Sequence, residues 1–444
     1  MTKNSLNSFL KKTMFRKRLQ KLESKKKLYI YTQDKDEIYN FQLNGLNSVW
    51  HSAVRDMPFY KRWKQIYNLP DNIRSIEDLK RFPPLTKKDI CLNEGFILSH
   101  LKNYYLTATG GTSGITTNFP TSKLDAEDSY ANAYTGRSWW GIRPFDKILM
   151  FWGHSHLFGT GMMRYVKSAK RKLADFLIST KRVSCYSLGV GNVESFYSRI
   201  LKERPHAIIS YTSNVYRMCK FMEANGLSFR DENLKAVILT SETATDADVK
   251  LIKERLNTNV VHEYGMAETG AVAYSCRTTD NIRILWDSFV ITTDAKGRLF
   301  ITTTGNKIFP LINYDSEDLV DPGDVYKNSV LGLSHIKGKE RDVLKLPSVN
   351  GEILSISTIF FDHILKCYPG IYSIHYKQTE DGASIVLTSD TKLDFRHLKR
   401  YFAQEASREF RNIDFEKIHF TQSGEIPKTV AGKNKTFIKE ANIL

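Results

Sequence analysis

Between residues 147 and 262 short apolar runs alternate with helical patterns, and this alternation constrains the fold more than any other feature of the chain. Residues 147–152, 207–211 and 236–239 are strand-length and rich in Ile, Leu, Val or aromatic side chains, as strands of a parallel sheet covered on both faces are. Thr245 then stands ahead of Val249, Ile252 and Leu256, which recur at helical spacing, with Asp248 three residues after the threonine. That arrangement predicts a capped amphipathic helix. Residues 259–262 return as a strand, so an α/β architecture follows. Beyond them the pattern changes, and residues 289–293 and 298–303 flank the turn-rich Asp294-Ala295-Lys296-Gly297, which predicts a hairpin. From about Asn350 the chain reads as a smaller α+β unit, with helices over 357–366 and 393–410 and strands over 372–377 and 383–388.

A chain of 444 residues, 41% of them hydrophobic, can bury a large core and more than one domain. No run of about 18 apolar residues predicts a membrane-spanning helix. The five cysteines are scattered without paired spacing, which favours buried, inert thiols in a reducing cytoplasm over disulfides or a zinc site. The net charge of +17 is concentrated at one end, with ten basic residues against the single acid Glu23 between residues 3 and 27. Leu6, Phe9, Leu10, Met14 and Leu22 are interleaved there, so the segment reads as a basic amphipathic helix. It either packs on the body of the protein or contacts anionic lipid at the inner face of a membrane. Its charges interrupt the apolar run that a signal peptide needs, and no nucleic-acid partner is expected.

One loop carries chemistry. Thr107-Ala108-Thr109-Gly110-Gly111-Thr112-Ser113-Gly114-Ile115-Thr116-Thr117 combines glycines, which let backbone N–H groups approach an anion, with hydroxyls that bond phosphate oxygens. Taken alone it is equally a polar surface turn. It lacks the Gly-Lys-Ser/Thr ending of the Walker loop and the GxSxG pattern of a nucleophile elbow.

Four further segments follow it in order: Tyr264-Gly265-Met266-Ala267-Glu268, Asn313-Tyr314-Asp315-Ser316-Glu317-Asp318-Leu319, Gly338-Lys339-Glu340-Arg341-Asp342 and Pro427-Lys428-Thr429-Val430-Ala431-Gly432-Lys433. With the glycine loop these resemble the signatures of the adenylate-forming acyl ligases, namely YGxTE, YRTGDL, the hinge and PKTxSGK. The branch resembled is that of phenylacetate-CoA ligases and their relatives in capsular-polysaccharide gene clusters. Pro58-Phe59-Tyr60 and Phe82-Pro83-Pro84-Leu85-Thr86-Lys87 are similar to segments of the same branch.

The resemblance implies a large N-terminal domain with layered sheets and helices, over residues 31–336 after the basic segment 1–30. A hinge at 337–345 and a small mobile α+β cap over 346–444 would follow. It implies that Thr109, Gly110, Gly111, Thr112, Ser113, Gly114 and Thr116 hold the phosphates of ATP. Tyr264 and Gly265 would lie against adenine, with Ser241 and Glu242 on the other wall of the nucleotide pocket. Glu268 would bind Mg²⁺, and Asp318 the ribose hydroxyls. Lys433 would stabilise charge at the α-phosphate as pyrophosphate leaves, and Lys339, at the hinge, would be a further nucleotide-binding residue. The segment after residue 151 matches the aromatic acyl-pocket region, so Trp152, His154 and Phe158 are candidate walls. Three departures stand out: Ala267 for the threonine of YGxTE, Asp315-Ser316-Glu317 for Arg-Thr-Gly, and Lys339 for arginine, which loses the planar fork.

The implied reaction is adenylation of a carboxylic acid followed by transfer to CoA, a carrier-protein thiol or an amine such as an amino sugar, in surface-polysaccharide synthesis. An acyl-CoA ligase of aromatic acid catabolism is the alternative within enzymes. A basic membrane- or nucleic-acid-binding protein on an inactive ligase fold is the alternative outside them.

Overall fold

The computed structural model of the chain describes residues 13–108, 118–152, 171–184, 193–305, 307–339, 343–365, 368, 370–389, 391–407, 410–423 and 437–438. The chain divides into two compact units, one of Met1–Pro144 with Val261–Ile336 and the other of Phe145–Val260 with Lys337–Leu444. One of the divisions falls between Ile336 and Lys337. Those near residues 144 and 260 carry no shift in composition.

In the first unit, strands lie in the order Phe289–Thr293, Arg298–Thr303, Tyr314–Tyr326, Ser329–Lys339, Ile282–Ile284, Gly270–Ser275, Asn259–Met266. The predicted hairpin is present, with Phe289 opposite Thr303 and Thr293 opposite Leu299. Helix Lys35–Asp56 starts where the Asp34 carboxylate accepts a hydrogen bond from the Glu37 N–H, and it buries Leu46, Trp50 and Ala53 along one face. Helix Pro58–Tyr67 opens on a proline, whose missing N–H costs nothing in a first turn. Its Tyr60 and Trp63 join Trp50, Phe82 and Phe309 in an aromatic core. Each such ring contributes roughly 2–3 kcal/mol by leaving water. Helix Lys123–Ser138, capped by Ser122, lies on strand Gly270–Ser275. A Cβ at Gly136 would meet the Tyr274 ring at 2.0 Å, so only glycine allows this approach.

The basic segment forms helix Arg16–Tyr31, and it packs against helix Lys123–Ser138. Leu22 and Tyr29 are buried, Lys21 pairs with Asp128, and Lys25 pairs with Asp287, which also accepts a 2.8 Å hydrogen bond from the Tyr29 hydroxyl. The Tyr29 ring sits 5.6 Å from that of Trp139 and 5.1 Å from that of Trp286. Lys21 and Lys25 thus face carboxylates of other elements and Lys26 pairs with Glu23 of its own helix, while Arg16, Lys17 and Lys27 face outward. Among the described residues no helix is long and apolar enough to cross a membrane.

In the second unit, strands Ala236–Thr240, Ala207–Ser210, Ile148–Trp152 and Thr180–Ser184 run parallel in that order. Their side chains form a core with helices Thr212–Ala224 and Asp246–Leu256. The second of these helices carries the predicted cap: the Thr245 hydroxyl accepts from the Asp248 N–H at 3.2 Å and the Asp248 carboxylate from the Thr245 N–H at 2.8 Å. Cys219 is buried in the same core, and burial pushes its thiol far above the ordinary range, as expected of an inert cysteine. The C-terminal part builds a four-stranded sheet in the order Ile418–Gln422, Ala383–Ser389, Ile371–Gln378, Phe437–Ile438. Helices Thr358–Leu365 and Phe395–Ala406 share its core through Phe361, Leu365, Leu398 and Phe402.

Candidate active site

Strands Asn259–Met266 and Gly270–Ser275 are joined by the tight turn 267–269, with Glu268 at its tip. The strands are pressed together there, since a Cβ at Gly265 would lie 2.4 Å from the Gly270 carbonyl oxygen. Their register slips between Tyr264, opposite Ala273, and Gly265, opposite Ala271. A second slip lies in strand Tyr314–Tyr326, whose pairing moves from Asp315 opposite Phe300 to Leu319 opposite Arg298. Bulges of this kind re-aim side chains, and here they carry Tyr264 in one strand and Asp318 in the other.

The two strands meet through two acid–tyrosine pairs. The Tyr264 hydroxyl donates to Asp318 Oδ2 at 2.7 Å, and the Tyr314 hydroxyl donates to Glu268 Oε1 at 3.1 Å. Burial, reinforced by the neighbouring carboxylates, pushes both phenols far above their ordinary range. Both tyrosines therefore remain protonated donors and fix their acids as acceptors.

A third group was not marked as a site residue by the sequence. Lys87 Nζ lies 3.3 Å from Glu268 Oε1, with the carboxylate side chain 3% exposed and the lysine 17% exposed. The lysine opens helix Lys87–Leu92, where Thr86 and Asp89 form a reciprocal cap. Just before it, the Leu85 N–H donates to the Asn313 carbonyl and the Asp315 N–H to the Leu85 carbonyl, each at 3.0 Å. The run Phe82–Lys87 is thereby stitched to the strand that supplies Tyr314 and Asp318. Its resemblance to a branch-specific segment was the available signal.

The unusual Asp315-Ser316-Glu317 run finds physical roles. Asp315 pairs with Arg298 at 3.2 Å, and the Ser316 hydroxyl donates to the Leu299 carbonyl at 2.8 Å and accepts from the Asp318 N–H at 3.1 Å. Glu317 adopts a φ of 61°, the left-handed region that the glycine of YRTGD enters without cost.

In the second unit, Ser241 and Glu242 follow the carboxyl end of strand Ala236–Thr240, where ligands of parallel sheets bind. Ser241 has a φ of 66°, and Glu242 accepts a 2.8 Å hydrogen bond from the Ser213 N–H at the start of helix Thr212–Ala224. Trp152 ends its strand with its ring 4.8 Å from that of Tyr211. Lys339 closes strand Ser329–Lys339. Thr109, Gly110, Gly111, Thr112, Ser113, Gly114, Thr116, His154, Phe158 and Lys433 lie outside the described residues. The glycine loop is carried between the paired strands Tyr104–Ala108 and Asn118–Ser122.

Glu268 suits one kind of metal. Both of its close partners approach Oε1, and no described residue hydrogen-bonds Oε2. Among the described residues no three His, Cys, Asp or Glu side chains are grouped to hold an ion. A dedicated protein cage is therefore not formed by them, whereas a hard cation that takes one carboxylate together with phosphate oxygens and water fits this donor set.

The architecture is that of the adenylate-forming CoA ligases. A 2-hydroxyisobutyryl-CoA ligase crystallised in the postadenylation state with its acyl-AMP superposes with a TM-score of 0.69 at 17% identity, over 92% of this chain and 91% of that one. An AMP complex of the o-succinylbenzoate-CoA synthetase of Bacillus subtilis gives 0.50 at 14% identity, over 76% of this chain and 69% of that one. In sequence, the chain is homologous to phenylacetate-CoA ligases. It is 24% identical to that of Pseudomonas putida over 83% of its own length and 85% of the relative's. With that of Escherichia coli (strain K12) it shares 25% identity over 84% and 89%. No family model matches the chain.

Proposed function

We propose that this chain is an ATP-dependent acid–CoA ligase. A carboxylate oxygen attacks the α-phosphorus of ATP and the bond to the β-phosphate breaks, releasing pyrophosphate. The CoA thiolate then attacks the acyl carbon of the acyl-AMP, and AMP leaves. The observation that carries this reading is the pair of buried acid–tyrosine contacts, Tyr264 with Asp318 and Tyr314 with Glu268, between two motif segments of a fold shared with adenylate-forming CoA ligases.

In this reading Asp318 accepts the ribose hydroxyls, Tyr264 and Gly265 border the adenine, and Ser241 and Glu242 also bind the nucleotide. Glu268 holds Mg²⁺, which when bound neutralises phosphate charge. The loop 109–116 cradles the phosphates, and Lys433 acts at the α-phosphate during the first step from a cap that turns about the hinge near Lys339. Catalysis then rests on positioning and charge stabilisation rather than on a covalent enzyme intermediate. The names of the homologous ligases suggest an aromatic acid as the substrate class. A carrier thiol or an amino sugar as acceptor, within surface-polysaccharide synthesis, is the second form of this proposal. Attachment to an anionic membrane is a separate one, resting on Arg16, Lys17 and Lys27.

ATP–pyrophosphate exchange across a panel of aryl, hydroxy and amino acids tests the first step, and a thioester assay with CoA tests the second. Lys433→Ala is expected to cut exchange by roughly 10²-fold, the effect of losing one preorganised charge-stabilising group. Transfer from supplied acyl-AMP should stay nearly unchanged. A folded protein without exchange on any acid would sink the ligase reading. An acyl-AMP that reacts with an amine and ignores CoA would move the chain to the acid–amine class.

A further inference from the structure

The contact between Lys87 and Glu268 sets a problem of charge. A carboxylate side chain only 3% exposed, 3.3 Å from an ammonium group, already has its counter-ion. A divalent cation on Oε2 would share that carboxylate with the ammonium on Oε1, leaving an excess of two positive charges in a site with little water. In such surroundings like charges a few ångströms apart repel strongly. The Thr86–Asp89 cap and the Leu85–Tyr314 bridge hold the Lys87 backbone beside the strand that supplies Tyr314. What removes the excess is an anion, and a nucleoside triphosphate brings about four negative charges.

We propose that Lys87 makes the metal site on Glu268 conditional on nucleotide. Without nucleotide the ammonium serves as the resident counter-ion of Glu268 and keeps divalent cations off it. When a nucleoside triphosphate enters, its phosphates take Lys87 as a second cation beside the metal, and the metal and Lys87 then occupy the site together. Lys87 is in this sense a positioning residue for phosphate and metal, and its assignment rests on the ligase reading of the site. The order of binding follows: nucleotide with its metal, not free metal, is the species admitted.

The test is Mn²⁺ binding followed by electron paramagnetic resonance on the full-length protein, without nucleotide. Lys87→Met should bind free Mn²⁺ at least about tenfold tighter than the wild type, because the repelling charge is gone while Glu268 remains. Adding Glu268→Gln to Lys87→Met should abolish that gain, and Lys87→Arg, which keeps the charge, should bind Mn²⁺ as weakly as the wild type. With ATP present the order should reverse, Lys87→Met holding Mn²⁺–ATP about tenfold more weakly, since one charge-assisted phosphate contact is lost. Unchanged or weaker binding of free Mn²⁺ by Lys87→Met overturns the proposal, as does a gain that survives Glu268→Gln. If Lys87→Met melts early, Lys87→Gln carries the same expectations. Failure of the ligase reading registers elsewhere, as absent exchange in the wild type, whereas these Mn²⁺ measurements need no acid substrate.

Discussion

Glu203 and Glu268 are both taken out of water, and the fold treats them in opposite ways. The side chain of Glu203, 7% exposed, ends helix Val193–Glu203 among three cations: Lys181, Lys147 at 3.3 Å and Arg199 at 3.8 Å. Both of its oxygens are engaged, and the two lysines come from the amino ends of parallel strands, away from where ligands of such sheets bind. Glu268 has one cation and one phenol, both on Oε1, and sits at the tip of a turn between two strands whose register slips near it. A saturated buried carboxylate is a fastening, whereas one with an open oxygen can still take a further ligand.

Three substitutions break or sharpen that contrast. Glu268→Gln keeps the shape and loses the charge, so ATP–pyrophosphate exchange should fall at least about tenfold, given that one charge-assisted contact contributes roughly 1.5–3 kcal/mol. The melting temperature should change little, and near-normal exchange in the folded variant would remove Glu268 from the site.

Glu203→Gln should do the reverse. Exchange should be unaffected, while stability falls by about 1–2 kcal/mol, a discounted figure because its lysine partners are nearly half exposed. Burial raises the pKa of Glu203, but hydrogen bonds from Lys181 and Lys147 outweigh it and hold the carboxyl below its usual range. Its contribution is therefore fully present above the unfolded pKa of about 4.3 and is lost as pH falls through the lower folded value. Acid unfolding of Glu203→Gln should lack that component. Equal acid titration curves for variant and wild type would mean that the cluster stabilises nothing.

The smallest effect expected is a gain. Glu317→Gly places the left-handed φ of 61° on the residue type that tolerates it, and unfolding by urea should show stabilisation of up to about 1 kcal/mol. A loss would mean that contacts of the Glu317 side chain outweigh the backbone cost.

The contrast also separates what local sequence determines from what only the fold assembles. The Thr245–Asp248 cap, the hairpin over 289–303 and the strands of the parallel sheet depend on neighbours in the chain, and each is readable from residue type and spacing. Tyr264, Glu268 and Asp318 were singled out through their motifs, and the structure brings the first and last into contact. Lys87 was not found, because it reaches Glu268 through the bridge between Leu85 and Tyr314, residues far apart in sequence. Strand Tyr314–Tyr326 was equally obscure: its acidic run and Pro322-Gly323 are residue types that strands disfavour, and pairing with strand Arg298–Thr303 holds it as a strand. Helix Lys35–Asp56 hides its apolar face because Gln42 occupies a core position, where its amide donates to the Phe289 carbonyl at 2.9 Å and accepts from the Ser329 hydroxyl at 2.8 Å.

The packing of helix Arg16–Tyr31 decides how its outward charges can be studied. Shortening the chain to residue 28 would strip away most of the helix that covers Trp139 and Trp286, and the uncovered indoles would themselves adhere to lipid or to other molecules. Vesicle binding by such a chain would then report a new greasy surface and not the missing charge. Reversing Lys17 and Lys27 to glutamate leaves Tyr29 on its tryptophans and changes only what faces away, so lost adhesion to anionic vesicles, with melting unchanged, would isolate the contribution of charge.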